Sequence, residues 1–300
     1  MNEHSTLLGG IEAGGTKFVC AVGTSPVDIL EEIRFPTGDP QATLSRAGEF
    51  FVQAQKKHGP IGALGIGSFG PVDLDKSSPS YGSITSTPKL RWAGTQVVQA
   101  FDFLNVPIEF DTDTNAAALG EVVYGAGKGL DTLLYLTVGT GVGGGIIVNG
   151  KPIHGLVHPE VGHILLTPRS DDSFRGTCPF HGTCLEGMAA GPAIEQRWGT
   201  PGHQLPADHP AWDLEAYYLA QGLMSMVLTL SPQRIILGGG VMHQPQLFPL
   251  IRSYLKQMLA GYVDRKEILE DNDTYIVFPQ RENQAGITGA LHLAYLAGAQ

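Results

Sequence analysis

Apolar residues come in short β-prone runs over Leu7 to Ile11, Phe18 to Val22 and Ile29 to Phe35, which predicts three strands at the start of the chain. The pattern then changes period. Leu44, Ala47, Phe51 and Ala54 recur at helical spacing inside Gln41 to Lys57 and predict an amphipathic helix. A buried strand over Ala63 to Ile66 follows, then a long Ser-, Pro- and Gly-rich loop from Phe69 to Pro88. A helix around Thr95 to Leu104, a strand over Pro107 to Phe110 and a helix from about Thr114 close this half. The second half repeats the order. Its strands are expected at Leu133 to Val138, Ile146 to Val148, near His163 to Leu166, at Arg234 to Leu237 and at Thr274 to Val277. Its helices are expected at Leu214 to Leu230, Gln246 to Leu259 and Ala285 to Ala297. Two halves of β-β-β-α-β-α-β-α order belong to the α/β class, with mixed sheets flanked by helices and ligands at the strand ends.

Each half carries a glycine-rich turn between its first two strands: Gly9-Gly10-Ile11-Glu12-Ala13-Gly14-Gly15-Thr16-Lys17 and Thr137-Val138-Gly139-Thr140-Gly141-Val142-Gly143-Gly144-Gly145. Glycine lets backbone N–H groups approach a ligand, and Thr16 and Thr140 add hydroxyl donors, a combination suited to phosphate oxygens. Neither turn has the spacing of a P-loop or the strand–turn–helix setting of a dinucleotide fingerprint. A pair of phosphate-binding hairpins is the reading that their recurrence supports.

At 300 residues, with 42% hydrophobic and 16% charged positions, the chain suits two globular domains, and no apolar run is long enough to span a bilayer. The net charge of -10 disfavours nucleic acid or an anionic membrane as partner. Residues Met1 to Ser5 lack a basic n-region, so no signal peptide is expected and the location expected is cytoplasmic. Three cysteines cannot form a closed disulfide framework. Cys20, alone in a strand, reads as buried and inert.

Asp111-Thr112-Asp113-Thr114-Asn115 follows a strand and opens a helix, so one of its residues is expected to cap that helix. A carboxylate at such a strand end is also placed to take a proton from a substrate hydroxyl. Cys178, His181 and Cys184 offer three zinc ligands in one short loop, and His154, His158 or His163 is available to complete a structural four-ligand site. Glu160 and Glu186 flank these ligands and, with an imidazole, suit vicinal sugar hydroxyls. The Gly238-Gly239-Gly240 run ends a buried strand where a flat or phosphate-bearing group can approach the backbone.

Together these segments resemble the ROK family of sugar kinases and repressors, and within it the bacterial zinc-dependent fructokinases. The resemblance is carried by Gly10 to Lys17, by Asp111 to Glu121 (DTDTNAAALGE), by Leu136 to Gly145, by Pro159 to His163 (PEVGH) with Cys178 to Glu186 (CPFHGTCLE), and by Leu237 to Val241. It implies a two-lobe actin-like ATPase (ribonuclease H-like) fold, with lobes at 1–118 and 119–300 and the last helix packed back on the first lobe. It implies Asp113 as general base, Thr112, Glu160, His163 and Glu186 as sugar-binding residues, and His163, Cys178, His181 and Cys184 as ligands of a structural Zn²⁺. ATP with Mg²⁺ is expected against Gly14, Gly15, Thr16 and Lys17, against Gly139, Thr140 and Gly141, and against Pro192, Gly238, Gly239, Gly240 and Val241; Glu12 is expected to orient metal-bound water. Many family glucokinases have Asn where this chain has Thr112, and a longer zinc loop. With Phe69 to Leu74 and Tyr81 to Lys89, that departure points to fructose as substrate, with mannose second and glucose poor. Other hexose kinases are the nearest alternatives. A sugar-responsive repressor is disfavoured by the charge and by a phosphate hairpin beginning at Leu7, and a homodimer is expected.

Overall fold

In the computed structural model, described for residues 7–270 and 272–299, strands and helices alternate twice along the chain. The first run is β1 (Leu7–Ala13), β2 (Lys17–Ser25), β3 (Asp28–Pro36), α1 (Pro40–His58), β4 (Ile61–Ser68), β5 (Ile108–Thr112) and α2 (Asp113–Tyr124). The second begins with β6 (Leu133–Val138), β7 (Val142–Val148) and the two-residue β8 (Lys151–Pro152). Helices α3 (Leu185–Ala189), α4 (Gly191–Trp198) and α5 (Ala211–Leu230) follow, then β9 (Arg234–Gly238), α6 (Leu247–Leu259), α7 (Lys266–Leu269), α8 (Asn272–Tyr275), β10 (Ile276–Val277) and α9 (Ala285–Gly298). The strands form two five-stranded mixed sheets, β3-β2-β1-β4-β5 and β10-β9-β6-β7-β8. This is the α/β architecture that the alternating periods predict.

The chain clusters into two compact units. One comprises residues 1–129, 151–159 and 280–300, and the other 130–150 and 160–279. A cut at 118/119 would divide α2, whereas the observed first unit keeps that helix whole. In this unit β1 pairs antiparallel with β2 and parallel with β4, so the hairpin tip and the β4 and β5 C-terminal ends emerge on one edge. Phe18, Phe51, Leu64, Ile66 and Phe101 fill one face of the sheet, and Ile287, Ala290, Leu291 and Ala294 of α9 cover the other. Helix α9 lies backbone-close on its neighbours: a Cβ at Gly65 would meet the Ala290 carbonyl at 1.9 Å, and one at Gly289 the Ala116 carbonyl at 1.6 Å. Buried Glu121 accepts the N–H groups of Ala126, Gln280 and Arg281 and so joins the end of α2 to the approach to α9.

In the second unit β6 pairs antiparallel with β7 and parallel with β9, and β9 with β10. Three expected elements differ. The strand expected near His163 to Leu166 is a 3-10 turn over Val161–His163 followed by an isolated bridge from Leu165 to Cys184. This segment is bent because His163 faces the cysteine loop instead of a sheet neighbour. Residues Asn272–Tyr275 are helical, which shortens the last strand to Ile276–Val277. In the first unit, the helix expected around Thr95 to Leu104 is a 3-10 segment over Gln99–Leu104 alone.

Candidate active site and metal centre

Asp111 and Thr112 end β5, and Thr112 also caps α2, its Oγ1 accepting the Asn115 N–H at 3.0 Å. The cap therefore falls on Thr112, which is 4% exposed and whose hydroxyl also meets Thr114 Oγ1 at 3.3 Å. Asp113 begins the helix half-buried, its Oδ1 accepting the Thr114 N–H at 2.8 Å. Glu12, from β1, shares this neighbourhood: burial pushes its pKa up to about 7, Lys17 pulls it down and Asp113 pushes it further up. Its Oε2 is buried without a hydrogen-bond partner, and its Cδ lies 2.5 Å from where a Cβ on Gly286 would stand. The hairpin tip beside it is closed by Gly14 N–H donating to the Lys17 carbonyl at 3.0 Å and by Thr37, whose Oγ1 donates to the Gly14 carbonyl at 2.7 Å. Lys89 reaches the same tip, its Cε 3.2 Å from where a Gly15 Cβ would lie.

In the second unit, the ligand atoms of His163, Cys178, His181 and Cys184 lie within 4.8 Å of one another. Cys178 Sγ is 3.8 Å from His163 Nδ1 and 3.7 Å from His181 Nδ1, and Cys184 Sγ is 3.6 Å from His163 Nδ1. A tetrahedron with Zn–S of about 2.3 Å and Zn–N of about 2.0–2.1 Å has S···N edges of about 3.6 Å. The four side chains thus fit zinc in both chemistry and spacing. The loop holds them by tight packing: Gly182 N–H donates to the Cys178 carbonyl, and a Cβ on Gly187 would meet the Gly182 carbonyl at 1.9 Å. Of the three histidines that the sequence offered, only His163 joins the cysteines. His154 bonds Asp111, and buried His158 accepts the Val72 N–H at 3.1 Å, with burial holding its pKa low.

Glu186, on α3, turns its Oε2 to the second hairpin and accepts the Val142 N–H at 3.0 Å. Glu160 keeps an exposed side chain, but surrounding protein thins its solvation and Glu186 repels its charge, so its pKa rises to about 7. Gly139, Thr140, Pro192, Gly240 and Val241 line one pocket of about 520 Å³, walled further by Trp212 and His203. That volume suits a nucleotide-sized ligand. Gly239 has φ of 90° and packs on Val138 backbone, which demands glycine, while a Cβ on Gly238 would strike Tyr135 Oη at 2.7 Å. His203 and Trp212 carry no motif of their own; the bracketing Gly191-Pro192 and Gly199 were the available sign of α4.

A family model described as ROK family matches residues 8–296. The chain belongs to the ROK family. A fructokinase of Lactococcus lactis subsp. cremoris is 45% identical over 97% of this chain and 98% of its own, and a fructokinase of Zymomonas mobilis 42% identical over 99% of each. Among solved structures, a ROK family glucokinase from Streptomyces griseus in complex with glucose and AMPPNP is similar with TM-score 0.78 and 26% identity, over 97% of this chain and 99% of that one. The ROK sugar kinase fold of that relative is the actin-like ATPase fold, and this chain shares it.

Proposed function

We propose that this ROK protein is a fructokinase that transfers the γ-phosphoryl group of ATP to the O6 hydroxyl of fructose. The observation that carries the reading is near full-length identity of 42–45% to fructokinases, in a chain that also keeps the base, glycine-turn and zinc-ligand segments. Asp113 takes the hydroxyl proton, the new O6–P bond forms, and the bond from Pγ to the bridging oxygen breaks to give fructose 6-phosphate and ADP. Lys17 and the Gly15 N–H bind phosphate oxygens from the first hairpin, the Gly14 N–H being committed to the Lys17 carbonyl, and Glu12 would orient water on the Mg²⁺ that accompanies ATP. In the second unit Gly139 to Gly141, Pro192 and Gly238 to Val241 hold the nucleotide. Zinc, when bound by His163, Cys178, His181 and Cys184, is structural and stiffens the loop. His163 then presents Nε2 to the sugar, because Nδ1 faces the metal site. Glu160 and Glu186 bind further sugar hydroxyls.

Fructose is the preferred sugar, mannose second and glucose poor. Thr112 has no amide to offer paired donor and acceptor atoms, and its hydroxyl already caps α2. Each hydroxyl left unpaired costs about 1 to 3 kcal/mol, roughly 5- to 150-fold in preference. Coupled-assay kinetics on fructose, mannose, glucose and N-acetylated hexoses test this: kcat/KM should be highest for fructose, and a glucose value equal to or above it overturns the substrate while leaving the kinase. The protein works in the cytoplasm as a homodimer, in keeping with its free cysteines and its family resemblance; sedimentation checks the dimer. No described helix is long and apolar enough to cross a membrane.

A further inference from the structure

Asp111 is 3% exposed and gathers donors from two segments of the first unit. Its Oδ1 accepts the Thr112 N–H and Asn115 Nδ2, each at 2.7 Å. His154 Nε2 lies 3.0 Å from Oδ2 and 3.2 Å from Oδ1, and 3.3 Å from Asn115 Nδ2. Asn115 Oδ1 is buried without a hydrogen-bond partner, so the amide is oriented through its NH₂ side, toward Asp111. Residues 151–159, which carry His154, are moored a second time by His158 on the Val72 N–H. The first turn of α2 therefore hangs from a carboxylate that an imidazole reaches from outside the strand and helix that hold it.

We propose that His154 is a positioning residue for phosphoryl transfer: its Nε2–H holds the Asp111 carboxylate, and that bond sets the turn from which Asp113 projects. Without the donor, Asp111 Oδ2 loses its imidazole partner, and the carboxylate is held through Oδ1 alone, by the Thr112 N–H and Asn115 Nδ2, with its second oxygen unrestrained. Asp113, two residues on, then loses the placement that proton transfer requires. The charge pattern agrees with a donating imidazole. The hydrogen bond to Asp111 raises the His154 pKa above 6.5, burial opposes this, and the charges of Asp111 and Glu109 add to the rise. The titratable groups that act on it are Asp111 and Glu109 from β5 and His158 on the same segment; Glu109 is itself paired to Lys76 at 3.0 Å, and burial with the charges of Glu109 and Asp111 pushes the Tyr81 hydroxyl up to about 12.

The inference rests on the kinase reading, so its test has an arm that needs no activity. In the full-length protein, His154→Phe should lower kcat for fructose phosphorylation about tenfold or more with KM for fructose and ATP within twofold. His154→Gln, which keeps a donor at a similar reach, should return kcat to within threefold of the parent. Imidazole NMR, with the signal assigned by its loss in H154Q, should show His154 titrating above 6.5 and falling toward 6.5 in D111N. The proposal is overturned if H154F keeps kcat within twofold, if KM moves as much as kcat, if Gln fails to rescue, or if His154 titrates at or below 6.5 in the parent. Failure of the parent to phosphorylate any hexose would instead remove the kinase reading, and the titration would still decide whether His154 holds Asp111.

Discussion

The two glycine-rich turns share one pattern and are held by different means. Between β1 and β2, the tip is closed by its own backbone and by the Thr37 hydroxyl, with Lys17 and the long arm of Lys89 at its surface. Between β6 and β7, the tip is braced by a carboxylate from elsewhere in its unit, Glu186 on the Val142 N–H, and by the Gly191 N–H on the Gly139 carbonyl. The contrast extends to each unit's candidate chemistry. The first holds Asp113 on a strand end and a capped helix, through hydrogen bonds among Asp111, Thr112, Asn115 and His154. The second holds His163 on a 3-10 turn and Glu186 in the first turn of the short helix α3, with His163 one of four ligands spaced for zinc. Rigidity comes from a polar network in one case and from close packing around a metal-sized gap in the other. Each should fail in its own way.

The largest effect belongs to the reactive group. Asp113→Asn should lower kcat by about 10²-fold or more, the scale of a lost general base, with sugar and ATP affinities kept. If affinity collapses while single-turnover rate survives, Asp113 positions the sugar and the network serves binding.

Glu12→Gln tests what the first unit bears to keep a carboxyl buried. With a folded pKa of about 7 against 4.5, the native state holds this proton between those pH values while the unfolded chain does not. Stability therefore falls as pH rises from 4.5 to 7 and stays lower above it. The neutral amide should stabilise the ligand-free protein by up to about 3 kcal/mol at pH 8, with no gain at pH 4, while activity drops. Denaturant melts at the two pH values decide it, and an equal shift at both would show that the effect is packing and not charge.

For the second unit, protein purified without added metal should contain near-stoichiometric zinc by elemental analysis. Stripping it should raise KM for fructose about tenfold or more while KM for ATP moves less than threefold, because Glu186 and His163 lie beside the ligands. Absence of zinc, or full fructose affinity in His163→Ala, would leave packing alone as the brace.

The sheets were legible because strands β1, β2, β4, β6, β7 and β9 are runs of mostly buried apolar residues and glycines, while β3 shows itself by the β-prone Ile29, Ile33 and Phe35, and the stripes of α1 and α9 are buried and apolar. The segment around His163 was not, since its geometry answers to Cys178 and Cys184, 15 and 21 residues on. The choice among His154, His158 and His163 was equally hidden: all three lie upstream at similar reach, and only tertiary contacts send one to Asp111, one to Val72 and one to the cysteines. Thr112 could be read as a cap or as a sugar ligand, and the Asn115 N–H on its hydroxyl shows the cap.

The smallest predicted effect compares the turns directly. A methyl group on Gly141 would lie 2.6 Å from Glu186 Oε2, and relief requires that carboxylate to leave the Val142 N–H it accepts at 3.0 Å. One hydrogen bond of this kind is worth about 1 kcal/mol, so Gly141→Ala should lower kcat/KM roughly fivefold, with fructose and ATP both affected because Glu186 faces the turn and belongs to the sugar set. On Gly15 the nearest atom is Lys89 Cε at 3.2 Å, the far end of a side chain with several free rotors, and the next is Phe69 at 3.9 Å. Lysine can swing aside at little cost, so Gly15→Ala should change kcat/KM less than twofold. Steady-state kinetics on the two variants rank the turns. If Gly15→Ala proves the more damaging, the first hairpin depends on Lys89 staying where it lies, and its open, self-closed tip is as constrained as the braced one.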